Sequence, residues 1–175
     1  MLSRKEEALL ARLSLISDTG HDVFETFSSA DLYLIVARGE VGPGLAALSC
    51  GVEYGPNVAC YSWTLCTSGL QFPNDGGNGD WPASLGGNRI TWDASVDCQI
   101  STIGGDGVHA LAGSFYVYAY GPDLFSITEN RNLQSGAEFQ VGDCNNSVSD
   151  LPWPEAAGVV GFGGELGYTP CGVVP

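Results

Sequence analysis

The sequence predicts an all-β protein built as a single antiparallel β-sandwich or jelly roll. Three observations predict it. Apolar, β-branched and aromatic runs recur every ten to fifteen residues along the 175-residue chain, separated by Gly, Pro, Asn and Asp. No helical pattern interleaves with these runs, which sets aside a βαβ architecture. The 25 glycines suit the tight turns and bulges that such a fold needs.

The N-terminal stretch is read separately. Ser3 and Glu6 are spaced as a capping box, and Leu9, Leu10, Leu13 and Ile16 share one helical face. Residues 1–21 are therefore expected to be a short helix and linker, and 22–175 the sandwich. The stretch makes a poor export signal, because Glu6 and Glu7 follow Arg4 and Lys5 and Arg12 interrupts the apolar run. The strands follow in order. Asp31–Arg38 (DLYLIVAR) is apolar and β-branched, and Leu45–Tyr54 (LAALSCGVEY) follows the turn at Glu40–Gly44. Cys60–Cys66 (CYSWTLC) is short and aromatic, Arg89–Asp93 (RITWD) is a strand, and Asp97–Ile103 (DCQISTI) precedes a GGDG turn. Val108–Tyr120 is the longest strand, DLFSIT and AEFQVGDC continue the pattern, and the chain closes on a Gly- and Pro-rich tail. No run is long enough to span a membrane as a helix.

Charge and cysteine content bound the function. Six basic against twenty acidic residues give a net charge of −14, which repels nucleic acid and anionic membranes and suits divalent cations or basic partners. The six cysteines, Cys50, Cys60, Cys66, Cys98, Cys144 and Cys171, include no CxxC pair, and the two histidines lie far apart. Disulfides in an oxidising compartment are the better account than zinc. The preferred pairs, by proximity, are Cys50–Cys60, Cys66–Cys98 and Cys144–Cys171, the last stapling the tail with about 3 kcal/mol of loop-closure stabilisation. With no export signal visible, an extracellular protein is expected to have its true start upstream of Met1 or to leave by another route; the alternative is a cytoplasmic protein whose thiols are free.

The stretch Phe72–Asp93 (FPNDGGNGDWPASLGGNRITWD) holds the richest set of candidate ligands. Pro73–Asn88 forms a long connection between strands, and long loops in compact domains are often functional. Asn74, Asp75, Asn78 and Asp80 are hard oxygen donors at close spacing, which suits calcium, although the EF-hand pattern fails because position 86 is Gly. Trp81 and Trp92 flank the loop and could stack on a sugar ring; Trp81, beside Pro82, is the better placed for exposure, whereas Trp92 sits in an alternating strand that favours the core. In SFYVYAY, Phe115, Val117 and Ala119 face one side and Tyr116, Tyr118 and Tyr120 the other. That tyrosine side serves either as a binding platform or, the preferred account, as packing beneath a loop or the tail. Enzyme chemistry lacks a motif: GxSxG, HExxH and the P-loop are absent, and nothing selects a carboxylate pair.

Three segments carry a family resemblance: ADLYLIVA…GLAALSCGVEYGPN, GNRITWDASVDCQ and GSFYVYAYGPDLFSITEN…FQVGDC. They resemble secreted β-sandwich proteins of environmental bacteria, and the first is similar to the opening strands of cohesin-type sandwiches. The resemblance implies a cohesin- or immunoglobulin-like sandwich, and it implies protein or carbohydrate association at a cell surface. The expected function is accordingly a non-catalytic extracellular binding or assembly module, acting on a protein, on polysaccharide or on a second copy. A carbohydrate-binding module with an Asp/Asn/Trp loop, organised or not by calcium, is the first alternative, and a secreted carboxylate-dependent hydrolase the second.

Overall fold

The computed structural model describes residues 12–17, 23–24, 27–39, 44–74, 81–100, 108–132, 136–165 and 167. Among these, every regular element is a strand. In chain order they are β1 (Arg12–Ser17), β2 (Val23–Phe24), β3 (Ser28–Gly39), β4 (Leu45–Tyr54), β5 (Val58–Leu65), β6 (Leu70–Asn74) and β7 (Gly87–Thr91). They continue with β8 (Val108–Ala119), β9 (Asp123–Thr128), β10 (Asn130–Asn132), β11 (Gly136–Glu138), β12 (Gln140–Asp143), β13 (Val148–Asp150) and β14 (Val159–Phe162).

Two sheets face each other. The first runs β1-β3-β8-β5 and is antiparallel throughout. Its centre is the β3–β8 pair, in register from Ser28 opposite Ala119 to Gly39 opposite Val108, with irregularities between Leu34 and Ile35 and between Val36 and Gly39. The second runs β13-β12-β4-β9-β14-β2, and the β6–β7 hairpin joins it through β4. β4 has neighbours on both edges: β7 along one, β12 and then β9 along the other. Leu45, Leu48, Cys50 and Val52 of this strand are all buried in the core. β14 pairs antiparallel with β9 and parallel with β2.

The core lies between the sheets and follows from period-two alternation. Leu32, Leu34 and Val36 of β3 and Phe115, Val117 and Ala119 of β8 meet Leu48, Val52, Ile90, Phe125, Ile127, Val141, Val160 and Phe162 from the second sheet. Aromatic rings bridge the layers. Trp63 lies 4.5 Å from Phe115, Phe115 lies 5.2 Å from Phe125, and Phe125 stacks on Tyr54 at 5.2 Å between centroids. Gly113 allows Trp63 this position, since a Cβ there would meet the indole at 2.5 Å.

Two expectations of secondary structure are corrected. Arg12–Ser17 is a strand paired with the edge of β3, not part of a helix; residues 1–11 lie outside the described residues. The segment RLSLIS also carries a period-two pattern, and pairing with β3 overrides the helical one. Asp97–Ile100 is not a strand: Asp93 accepts Ser95 N–H, the chain turns with Asp97 N–H on Asp93 O, and only Gln99 bridges to Leu45. Residues 101–107 lie outside the described set. Within the Gly- and Pro-rich tail, Val159–Phe162 enters the second sheet between β9 and β2.

The cysteine pairing also differs. Cys98 bonds Cys144, with Cα atoms 5.9 Å apart, and ties the turn after β7 to the end of β12. This replaces Cys66–Cys98 and Cys144–Cys171. Cys50, Cys60 and Cys66 carry free thiols, so Cys50–Cys60 is not formed either; Cys171 lies outside the described residues. Sequence proximity failed as a guide because β7 and β12 both pair with β4, which brings distant segments together. Gly44, at φ 65°, makes room for the bridge, because a Cβ there would run into Cys98 Sγ.

Candidate functional site: the tyrosine face

The alternation that buries Phe115, Val117 and Ala119 sends Tyr116, Tyr118 and Tyr120 to the outer face of the first sheet. Tyr116 is 43% exposed and Tyr120 48% exposed, so the described part of the tail does not cover these two; Tyr118 is half-buried. The neighbouring strand adds a fourth ring. β5 pairs with β8 through an irregularity between Cys60 and Ser62, and Tyr61 lies at that bulge, 59% exposed. Its hydroxyl hydrogen-bonds that of Tyr120 at 2.5 Å, its ring lies 6.2 Å from Tyr116, and the Tyr118 and Tyr120 rings lie 4.7 Å apart. The bond to Tyr120, followed by desolvation, raises the Tyr61 phenol above the ordinary tyrosine range. On the other flank, Asp31 lies opposite Tyr116 and Tyr33 opposite Ser114. Tyr61 on β5, Tyr116 and Tyr118 on β8 and Tyr120 just past its end form one patch, apolar in its body and hydroxyl-tipped. Little side-chain freedom is left to lose when such a patch is covered.

The opening loop has a different character. Trp81 is only 8% exposed; its indole fills the core against Trp63 and Phe115 at 5.4 and 5.3 Å. The expected exposure of Trp81 is thus corrected. The segment after it is latched to β4: Leu85 N–H donates to Val52 O, Val52 N–H to Gly86 O, Tyr54 N–H to Ser84 Oγ, and the Tyr54 hydroxyl to Pro82 O. Trp92 is buried as well, with its Nε1 donating to Thr67 Oγ1 at 2.6 Å. Neither indole therefore offers a face to a sugar. Of the four expected calcium ligands, Asn74 ends β6 and donates to Asn130 Oδ1; Asp75, Asn78 and Asp80 lie outside the described residues. Among the described residues no group of three or more His, Cys, Asp or Glu is placed to hold a metal ion.

The two facing sheets, with a long β4 shared between β7, β12 and β9, can be set against known architectures. The fold resembles that of cohesin modules. A cohesin module from a Clostridium perfringens family 33 glycoside hydrolase is 9% identical, superimposes with a TM-score of 0.56, and the match covers 89% of this chain and 98% of that one. A type II cohesin domain from the cellulosome of Acetivibrio cellulolyticus is 10% identical, with a TM-score of 0.53 over 89% and 96% of the two chains. The sixth cohesin of scaffoldin B from the same organism, solved in complex with a Cel5 dockerin variant, is 10% identical, with a TM-score of 0.51 over 81% and 92%. No protein-family model matches the chain. No curated protein matches it. The cohesin-like sandwich expected from the opening strands is what the chain forms, and at these identities the likeness is one of fold.

Tyr61 was missed by sequence reasoning. Its signal is the aromatic run CYSWTLC, but the bulge breaks the alternation just where Tyr61 sits, so the outward direction could not be read there.

Proposed function

We propose that this chain is a non-catalytic binding module that docks a protein partner through the tyrosine face, in an extracellular or cell-surface setting. One observation carries the proposal: four tyrosines, three of them well exposed, are gathered on one sheet face. Tyrosine is enriched among the residues that dominate interface energies, because it covers area while ordering only two torsions and can still donate or accept a hydrogen bond. The cohesin fold supports the proposal by likeness, since one of the similar cohesins was solved with a dockerin bound. The Cys98–Cys144 bridge fits an oxidising compartment. The patch presents contact surface rather than a nucleophile beside a base, in keeping with a binding role.

The test is direct. Immobilised wild type and a Tyr61→Ser/Tyr116→Ser variant are exposed to secreted proteins of the source organism, and the captured protein is purified and titrated against both. Loss of these two rings should weaken binding about thirtyfold or more, the scale of one interface hot spot. Equal affinity for wild type and a folded variant would reject the tyrosine face as the docking surface. A wild type that dimerises, and a variant that does not, would make the partner a second copy.

A further inference from the structure

The opposite face of the sandwich carries a second feature. The connection between β13 and β14 folds back over the outer surface of β4, β9 and β14, leaving a cleft of about 580 Å³. Trp153, Pro154, Leu124 and Val159 give the cleft its apolar lining. Trp153 is 42% exposed, whereas Trp81 and Trp92 are buried. The backbone on either side of Trp153 is held. Leu151 N–H donates to Phe139 O, Ala156 N–H to Pro152 O, Ala157 N–H to Pro154 O and Ile127 N–H to Gly158 O, at 2.7 to 3.0 Å. The indole is thus presented by the fold beside an open cleft.

The rim is acidic. Glu53, Asp123 and Glu155 all line the cleft. Asp123 is fixed by Asn57 N–H on Oδ2 and its neighbour Leu124 N–H on Oδ1. The cation paired with Glu53 is Arg131, at 3.8 Å with both side chains about half exposed, a loose contact that an incoming cation can replace. An indole face attracts a cation through its quadrupole, and carboxylates lining the same cleft add to that attraction. A neutral sugar would gain from the indole but not from the charge.

We propose that this cleft is a second docking site, which takes a positively charged side chain, arginine or lysine, from an extended segment of a partner polypeptide. Because β9 directs Phe125 and Ile127 into the core and Leu124 and Ser126 outward, the cleft and the tyrosine face lie on opposite sides of the sandwich. One module can then hold two chains at once.

The probe is a short glycine-spaced peptide with two arginines, titrated by calorimetry and by tryptophan fluorescence at low and physiological salt. Trp153→Ala should weaken binding roughly tenfold, the scale of a partly desolvated cation–π contact. Trp153→Phe should recover part of it, and Glu155→Gln should weaken binding too. Asp31→Asn, the same charge change on the opposite sheet, and Tyr61→Ser should leave it unaltered. If Asp31→Asn weakens binding as much as Glu155→Gln, the attraction is diffuse and the site is refuted. No response to Trp153→Ala, or retention of a neutral oligosaccharide with no binding of the peptide, overturns it equally.

Discussion

Replacing Trp81 by alanine separates a core tryptophan from a ligand-binding one. The indole is 8% exposed and touches two aromatic rings, Trp63 and Phe115. A tryptophan buries roughly 200 Å² on folding. At about 25 cal/mol per Å² that amounts to about 5 kcal/mol, of which alanine keeps about 1. The expected loss is therefore about 4 kcal/mol, inside the usual range for large-to-small core changes. In a domain of this size it should lower the melting temperature by about 8–16 °C. Trp81→Phe is the informative companion. The indole Nε1 has no hydrogen-bond partner among the described residues, so phenylalanine forfeits volume but no bond. Trp92→Phe instead breaks the bond to Thr67 and should cost about 1 kcal/mol more than Trp81→Phe. Urea unfolding followed by far-UV circular dichroism measures all three. A loss below about 1 kcal/mol for Trp81→Ala would refute the core placement, and a larger cost for Trp81→Phe than for Trp92→Phe would refute the hydrogen-bond argument.

Other predictions address the cysteines. The Cys98–Cys144 bridge closes a loop of sequence separation 46, which the chain-entropy model values at about 4 kcal/mol; a Cys98→Ala/Cys144→Ala variant should lose stability on that scale, and an unmoved urea midpoint would count against the bridge. Exposed Cys66 should be alkylated first in the native protein, and buried Cys50 only on unfolding; peptide mapping that finds Cys50 labelled early would contradict the fold. Burial pushes the Cys50 thiol up to about 12, and burial, partly opposed by a hydrogen bond with the Ser62 backbone, pushes Cys60 up to about 12 as well. The folded chain then holds these protons longer than the unfolded one. Their contribution to stability is complete below the ordinary thiol range and declines as pH rises from there toward about 12. A Cys50→Ala/Cys60→Ala variant should lose less stability over that alkaline interval, and parallel curves would reject the assignment.

Much of the sandwich was legible because its strands are locally consistent. Leu45–Tyr54 and Asp123–Thr128 form strands with the predicted bounds, and the alternation of SFYVYAY divides core from surface as read. Acidic charge and the lack of interleaved helix among the described residues likewise followed from composition and period alone. These are local or additive properties, fixed by which residues follow one another.

What only the tertiary structure decided are the properties set by distant neighbours. RLSLIS fits either period, and the open edge of β3 makes it a strand. Cys98 meets Cys144 across 46 residues because β7 and β12 flank the same strand. Trp81 and Trp153 each precede a proline, yet the first fills the space between the sheets and the second stands at a cleft. The tyrosine face needed Tyr61, which a bulge on β5 carries to Tyr120, and no periodic reading of either strand places those two hydroxyls together. Burial and proximity are sums over the whole packed chain, so a residue's exposure and partner are settled only when the sheets close on each other.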